Sequence, residues 1–148
     1  MKVREAMTQD VRLVKPDQPI SEAARLMAEL DIGALPVQEN DRLVGMITDR
    51  DIAVRAVANG RGPDTKVADV MSREVKYCFE DEDLATVSAN MGDIQLRRLP
   101  VLSRDKRLVG IVSLGDIVNT GRNARQAGQA LAGISQPGGE HSQAEQAH

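Results

Sequence analysis

The 148-residue sequence predicts an α/β (α+β) fold of two similar halves, each a strand-helix-strand-strand-helix motif, packed as an intramolecular pair about a pseudo-twofold axis. Segments 33–52 and 98–117 both carry Leu-Pro-Val, Leu-Val-Gly and Asp-Ile in one order. The repeat extends upstream, where residues 7–8 (Met-Thr) correspond to residues 71–72 (Met-Ser). The offset between the two copies is about 64 residues. Solenoid arrays use periods of roughly 20 to 50 residues, so this longer period indicates two near-domain-sized copies.

The repeat also sets the expected boundaries. We expect a first copy over residues 1–60, a linker over 61–66, a second copy over 67–120 and a tail over 121–148. The linker contains Gly and Pro, which interrupt regular structure. The tail is rich in Gln, Ala, Gly and Ser and lacks aromatic residues, so we expect it to be flexible or weakly helical.

The first copy opens with a short β-branched run. Residues 11–14 predict a strand, which the turn residues 15–17 end. Pro19 suits the first turn of a helix, and apolar residues recur at helical spacing from residue 20 to residue 30. Gly33 is expected to stop this helix.

A hairpin and a second helix should follow. Residues 35–37 read as extended chain, and the polar turn at 39–41 leads into a second strand over 43–48. A helix is expected from residue 49 to about residue 58, with Asn-Gly at 59–60 closing it.

The second copy repeats this plan, with a strand over residues 75–79 and a helix that begins after the acidic residues 80–83. Four acidic side chains in a row suggest either a divalent-metal cluster or acids that face the positive helix end and water. We expect the second arrangement, and therefore no metal site.

Composition narrows the class of protein. The net charge of −3 argues against binding to nucleic acid, which needs clustered Lys and Arg. Trp is absent, and Tyr77 and Phe79 are the only aromatic residues, so the core should be aliphatic. We find no apolar stretch typical of a secretory signal or a membrane span. With a single cysteine, Cys78, a reduced cytoplasmic protein without membrane association is expected.

Catalysis is not expected. Cys78 has no histidine partner in the folded region, because His141 and His148 lie in the tail. No HExxH motif or Gly-rich phosphate loop occurs, and no paired acids have an obvious pocket. The sequence therefore indicates a protein that is not an enzyme and has no catalytic residue or cofactor.

The repeated motif Thr/Ser-x-x-Asp follows a strand and opens a helix in both copies. One interpretation is a capping box, in which Thr48 and Asp51, or Ser113 and Asp116, satisfy backbone donors. The other is a ligand site, because a helix start attracts phosphate and a carboxylate accepts hydrogen bonds from a ribose diol. Duplication alone does not decide between them.

This ordered set of motifs, found twice over about residues 3–119, resembles a tandem pair of cystathionine β-synthase (CBS) domains, or Bateman module, of the stand-alone bacterial type. The resemblance implies a regulatory module that binds an adenosine-containing ligand such as AMP, ATP, NAD or S-adenosylmethionine. It also implies a homodimer that signals to an unidentified effector protein. The alternative is a purely structural dimerisation module with vestigial clefts.

The resemblance further implies two ligand clefts, each combining the Thr/Ser-x-x-Asp of one copy with the front of the other. The first and preferred cleft would contain Thr48, Arg50, Asp51, Ser72, Lys76, Leu96, Arg97, Arg98 and Pro100. The second and weaker cleft would contain Thr8, Arg12, Ile32, Gly33, Ala34, Pro36, Ser113 and Asp116.

The two clefts differ in charge. The first has Arg97-Arg98 before Leu-Pro, where the second has Gly33-Ala34. Because arginine binds phosphate through charge-assisted hydrogen bonds, the first cleft should prefer a di- or triphosphate. Alternatively, these arginines point to solvent or pair with Asp93 and Asp105. Asp49 also opposes phosphate at the first cleft.

Overall fold

The computed structural model describes residues 1–94 and 97–119. The predicted tail, 121–148, lies outside these residues, as does Leu96 of the first predicted cleft. The chain begins with helices α1 (Val3–Ala6) and α2 (Ile20–Leu30), followed by strands β1 (Ala34–Glu39) and β2 (Arg42–Thr48). A helical segment follows, which begins as α3 (Asp49–Asp51) and continues as a π-helix (Ile52–Ala56) and a 3-10 turn (Val57–Asn59). After a second 3-10 turn (Val67–Asp69), the chain forms strand β3 (Cys78–Phe79), helix α4 (Leu84–Ile94), strands β4 (Arg98–Leu102) and β5 (Leu108–Ser113), and helix α5 (Leu114–Asn119).

These elements form two compact units. The first-copy unit contains residues 12–75, and the second-copy unit contains residues 1–11 together with the described residues from 76 onward. The units differ from the sequence repeats, because the N-terminal segment of the first repeat belongs to the core of the second. Val3 is fully buried there, and its N–H donates to the carbonyl of Glu82 at 3.0 Å.

The predicted hairpin is confirmed in the first-copy unit. Strands β1 and β2 pair antiparallel, with Ala34 opposite Thr48. Asn40 and Asp41 both have positive φ, 52° and 62°, which short polar side chains tolerate and which the tight hairpin turn requires. The second-copy unit has the corresponding antiparallel pair β4-β5, with β3 parallel on the other edge of β4.

Several predicted element bounds are wrong. Residues 11–14 form no strand, and only Val14 makes an isolated bridge to Val37, because the chain passes from one unit to the other between residues 11 and 12. The strand expected over 75–79 is limited to residues 78–79, next to the second passage. Helix α2 ends before Gly33, with Asp31 in the left-handed conformation.

The helix predicted from residue 49 to about residue 58 is present but is not one regular α-helix. After Asp51 it widens into the π-helix and then tightens into a 3-10 turn. Gly60 closes it with φ of 76°, as the Asn-Gly signal indicates. The widened turn alters the spacing of side chains along this segment.

Each unit has an aliphatic core, as the composition predicts. Buried Ile20, Ala23 and Met27 line one face of α2, and buried Leu84, Val87 and Met91 line α4. Both core clusters, within the described part of the chain, consist of aliphatic residues, methionines and Cys78.

A short peptide (residues 71–72 or 7–8), which we call the crossing peptide, forms an antiparallel bridge with the second hairpin strand in both units: Ser72 with Met46 of β2 and Thr8 with Ile111 of β5. An added Cβ on Gly45 would lie 2.7 Å from the Ser72 carbonyl oxygen. An added Cβ on Gly110 would lie 2.9 Å from the Thr8 carbonyl oxygen. The glycine of Leu-Val-Gly is therefore the position that lets this peptide approach the strand.

Candidate functional site

The Thr48-x-x-Asp51 motif forms a complete capping box at the start of α3. The Asp51 N–H donates to Thr48 Oγ1 at 3.0 Å, and the Thr48 N–H donates to Asp51 Oδ2 at 3.0 Å. The capping interpretation is thus confirmed for the first copy. It uses one oxygen of the carboxylate and leaves the second outside the cap.

The second copy has the same geometry. The Asp116 N–H donates to Ser113 Oγ at 3.2 Å, and the Ser113 N–H donates to Asp116 Oδ2 at 2.9 Å. Among the described residues, Oδ1 of Asp116 makes no hydrogen bond or ion pair. The cap and a ligand site are therefore compatible, because they call on different oxygens of one carboxylate.

The crossing peptides bring a hydroxyl-bearing residue close to each motif. Ser72 exchanges backbone hydrogen bonds with Met46, at 2.8 and 2.9 Å, two residues before Thr48. Thr8 exchanges hydrogen bonds with Ile111, at 2.8 and 3.0 Å, two residues before Ser113. Each unit thus brings together the Thr/Ser-x-x-Asp motif and the Thr or Ser that the resemblance assigns to the same cleft.

The remaining members of each predicted cleft belong to the unit that does not hold its motif. For the first cleft, the second-copy unit contains Lys76, Arg97, Arg98 and Pro100. For the second cleft, the first-copy unit contains Arg12, Ile32, Gly33, Ala34 and Pro36. Arg50 lies on α3 beside Asp51 and is exposed.

The start of β1 contacts the start of α3. The Asp49 N–H donates to the Gly33 carbonyl at 2.9 Å, and an added Cβ on Gly33 would lie 3.0 Å from an Asp49 carboxylate oxygen. In the second-copy unit the Leu114 N–H donates to the Arg97 carbonyl at 3.1 Å. The same backbone contact therefore joins Gly33 to an acid, Asp49, in the first copy and joins Arg97 to Leu114 in the second.

Arg97 and Arg98 are both exposed. Neither makes an ion pair within residues 1–94 and 97–119, and the proposed acidic partner Asp105 pairs with Arg107 at 3.2 Å. The alternation of β4 does not bury either arginine, since burial on this strand begins at Leu99. Both guanidinium groups face solvent in their unit.

Sequence reasoning missed Arg55. Its Nε lies 3.7 Å from Asp51 Oδ1, and its Nη1 donates to the carbonyls of Val70 and Met71 at 3.4 and 3.5 Å. The spacing of four residues between an acid and an arginine on a helix is the signal that indicates this pair.

The single thiol is not activated. Burial, reinforced by the charge of Glu82, raises the pKa of Cys78 to about 12, so the group is a neutral thiol at physiological pH. The two aromatic rings of the chain lie together at a distance of 5.6 Å between centroids, and the Arg104 guanidinium lies 4.2 Å from the Phe79 ring centroid.

Arg104 also binds Asp81 through its Nε and Nη2, and this contact holds the pKa of Asp81 below its usual range. In the same acidic stretch, Glu80 pairs with Arg4 and Asp83 with the Met1 amino group, and Glu82 accepts the Phe79 N–H at 2.8 Å. Across the part of the chain that is described, no three His, Cys, Asp or Glu side chains lie close enough to hold a metal ion.

None of the described helices is both long enough and apolar enough to cross a membrane.

Comparison with known proteins gives one family. The family model of the CBS domain matches residues 3–57 and 67–122. The CBS domain-containing protein YhcV of Bacillus subtilis (strain 168) is 44% identical over 133 residues, which are 90% of this chain and 94% of that protein.

Solved structures agree. The crystal structure of Hypoxic Response Protein I with two coordinated zinc ions is 36% identical, with a TM-score of 0.73 over 80% of this chain and 98% of that one. The CBS domain pair of protein MJ0100, in complex with 5′-methylthioadenosine and S-adenosyl-L-methionine, is 30% identical, with a TM-score of 0.69 over 81% and 94% of the two chains. CBSX2 in complex with AMP is 25% identical, with a TM-score of 0.72 over 84% and 98%.

The duplicated helix-hairpin-helix arrangement, its two capped Thr/Ser-x-x-Asp sequences and these matches lead to one assignment: the chain belongs to the CBS domain family and carries two CBS repeats.

Proposed function

We propose that this protein is a non-catalytic regulatory module that binds an adenosine-containing ligand. The observation that carries the proposal is the divided use of each motif carboxylate. Oδ2 of Asp51 and of Asp116 accepts the backbone N–H of the cap. Oδ1 lies outside the cap, 3.7 Å from Arg55 Nε in the case of Asp51, and can accept hydrogen bonds from vicinal hydroxyls. Ribose presents such a diol, and it is common to AMP, ATP, NAD and S-adenosylmethionine.

Two solved relatives support this ligand class. The MJ0100 CBS pair was crystallised with 5′-methylthioadenosine and S-adenosyl-L-methionine, and CBSX2 was crystallised with AMP. Their shared chemistry is adenosine, whereas the group at the 5′ position differs. We infer the same adenosine class for this chain, with the 5′ group chosen by its own residues.

The residues of the two clefts keep the roles expected from the sequence. In the first, Asp51 would accept the ribose diol, Thr48 and Ser72 would line the sugar, and Arg97 and Arg98 would bind phosphate. In the second, Asp116, Ser113 and Thr8 would play the corresponding parts beside Gly33 and Ala34. Arg97 and Arg98 are exposed, and neither pairs with an acid among residues 1–94 and 97–119, which supports the phosphate role.

The first cleft should therefore be the stronger site for phosphorylated ligands. A charge-assisted hydrogen bond contributes about 1.5 to 3 kcal/mol, which corresponds to about tenfold or more in affinity. Asp49 acts in the opposite direction at this cleft. The Asp49 N–H donates to the Gly33 carbonyl, and its carboxylate accepts the backbone N–H of Arg50 at 2.8 Å, so the side-chain charge of Asp49 still repels phosphate.

We further propose that the protein acts in the cytoplasm as a homodimer and passes ligand occupancy to an effector protein. Two large apolar side chains near the motif helices favour an interface: Val57 is 67% exposed and Val118 is 55% exposed. The same observation favours the second candidate, a structural dimerisation module whose clefts stay empty. Ligand binding separates the two functions.

A dose-dependent rise in melting temperature with AMP, ATP, NAD or S-adenosylmethionine is the expected result for a ligand-binding module. A ligand at 100 times its Kd stabilises the folded state by about 2.7 kcal/mol, which raises Tm by roughly 5 to 10 °C for a chain of this size. Guanosine analogues serve as the control for base recognition. No dose dependence with any adenosine compound would favour the structural module.

Arg98→Ala should reduce the affinity for ATP by about tenfold and change the affinity for adenosine much less, because adenosine has no phosphate for the guanidinium to bind. Titration calorimetry with both compounds measures the difference. Arg107→Ala, which removes an exposed arginine of the same unit, is the control. An equal loss for ATP and adenosine would argue against phosphate binding by Arg98.

A further inference from the structure

Arg55 connects the motif carboxylate to the backbone of the crossing peptide. Its Nε lies 3.7 Å from Asp51 Oδ1, the oxygen outside the cap. Its Nη1 donates to the carbonyl oxygens of Val70 and Met71 at 3.4 and 3.5 Å. These carbonyls directly precede Ser72, whose own N–H is bonded to the Met46 carbonyl at 2.8 Å. One guanidinium group thus spans the carboxylate and the peptide that crosses β2.

The helix around Arg55 holds this side chain in place. Asp51 and Arg55 are four residues apart, and the π-helix Ile52–Ala56 begins directly after the acid. The side-chain amide of Asn59 donates to the Arg55 carbonyl at 3.1 Å. Single turns of π-helix are frequent at functional sites because they redirect side chains. Here the wide turn carries the residue that faces the motif acid.

Burial makes the contact effective. The Asp51 side chain is 12% exposed and that of Arg55 is 37% exposed, so the pair is less screened by solvent than a surface ion pair. With Oδ2 bonded to the Thr48 N–H and Oδ1 facing Arg55, the rotation of the carboxylate about its last bond is restricted. The outer oxygen is thereby presented in one direction.

The second copy lacks this arrangement. The residue four positions after Asp116 is Thr120, a side chain that is too short and has no charge to span a comparable distance. Helix α5 continues as α-helix through Asn119, where the first copy is already a π-helix. Within residues 1–94 and 97–119, the feature is therefore found in the first copy and not in the second.

We propose that Arg55 is the positioning residue of Asp51. Its guanidinium group anchors the Asp51 carboxylate to the Val70 and Met71 carbonyls. A change in the carboxylate therefore alters the backbone hydrogen bonding of Ser72. For its effect on ligand binding, the proposal rests on the function proposed above. Residues 70–75 lead directly to the passage into the second-copy unit. Arg55 therefore links the ribose-binding acid of the first copy to the connecting peptide.

Hydrogen exchange of the ligand-free protein tests the anchor. In Arg55→Ala the Ser72 amide should exchange about three- to tenfold faster. The variant loses the hydrogen bonds from Arg55 to the preceding carbonyls, and the expected change corresponds to the net free energy of about one hydrogen bond. Asp51→Asn should accelerate the same amide, and the double variant should add little to either. The Thr8 amide, bonded to Ile111 in the second-copy unit, and the variant Arg25→Ala, an exposed arginine of α2, are the controls.

An unchanged Ser72 amide in Arg55→Ala would overturn the proposal. Acceleration in Arg55→Ala but not in Asp51→Asn would also overturn it, because Arg55 would then hold only the backbone. Arg55→Lys should restore little of the protection, since lysine keeps the charge but lacks the fork that reaches both partners.

Calorimetry with AMP supplies the second readout. Arg55→Ala should weaken AMP binding about three- to tenfold in the wild-type background and have no further effect in Asp51→Asn, because Arg55 acts through that carboxylate. An equal loss in both backgrounds would indicate a general structural role and overturn the proposal. A wild-type protein that binds none of AMP, ATP, NAD and S-adenosylmethionine would contradict the proposed function, and the exchange result would then decide the role of Arg55 by itself.

Discussion

Gly45→Ala and Gly110→Ala are each expected to lower the free energy of unfolding by about 2 to 4 kcal/mol, from overpacking and strained hydrogen bonds. A Cβ at Gly45 would lie 2.7 Å from the Ser72 carbonyl oxygen and 2.7 Å from Met71 Sδ. The methionine can move, but the backbone of Ser72 is held by two hydrogen bonds to Met46. The crossing peptide must therefore leave the strand.

Gly110 is in the same position, with 2.6 Å to Met7 Sδ and 2.9 Å to the Thr8 carbonyl oxygen. Urea unfolding monitored by circular dichroism measures both variants. Gly62→Ala is the matched control, because an added Cβ there meets no atom within 4 Å and the backbone does not have a positive φ. Variants at Gly45 and Gly110 as stable as Gly62→Ala would show that the crossing peptide yields without cost.

Asp51→Asn is expected to weaken the binding of AMP or ATP by about tenfold to a hundredfold, the loss of one or two charge-assisted hydrogen bonds to the ribose. Asparagine retains an oxygen that can accept the Thr48 N–H, so the cap is preserved while the charge is removed. The matching variant Asp116→Asn should cause a smaller loss, because we propose that the first cleft is the preferred one. Titration calorimetry measures both affinities.

Alanine at the same positions separates stability from binding. Asp51→Ala and Asp116→Ala each remove the carboxylate half of a capping box, and Asp51→Ala also removes the contact with Arg55, so Asp51→Ala should unfold at the lower temperature. Affinities measured well below both unfolding transitions should also differ, with the greater loss in Asp51→Ala. Equal losses of affinity would contradict the asymmetry between the clefts, and no loss in either would contradict the ribose role of the motif.

The sequence predicted elements whose signals are local. The hairpin β1-β2 follows from apolar runs on both sides of the polar turn at residues 39–41, and its register follows from the turn at Asn40 and Asp41. The start of α2 after Pro19 and its end region were likewise readable from helical spacing. The Thr/Ser-x-x-Asp motifs were predicted as caps or as ligand sites. The structure shows the cap, in which Oδ2 of each aspartate accepts a backbone N–H and Oδ1 takes no part.

Other features depended on contacts between distant residues. The run at 11–14 has the composition of a strand, yet only Val14 pairs, because the chain must pass between the units there. The glycine of Leu-Val-Gly is visible in the sequence, but its reason is the peptide of residues 71–72 that crosses it. Arg55 carries no motif of its own, and its contacts with Val70 and Met71 span 15 and 16 residues.

The amino-acid sequence by itself therefore determined the duplication, the family, the hairpin and the pair of capped motifs, because each is written in local spacing or in the repetition of short patterns. The tertiary structure decided that residues 1–11 complete the core of the second copy, that a crossing peptide requires Gly45 and Gly110, and that Arg55 donates to the Val70 and Met71 carbonyls. The physical reason is that these features depend on burial and hydrogen bonds between segments far apart in the chain, which no local pattern encodes.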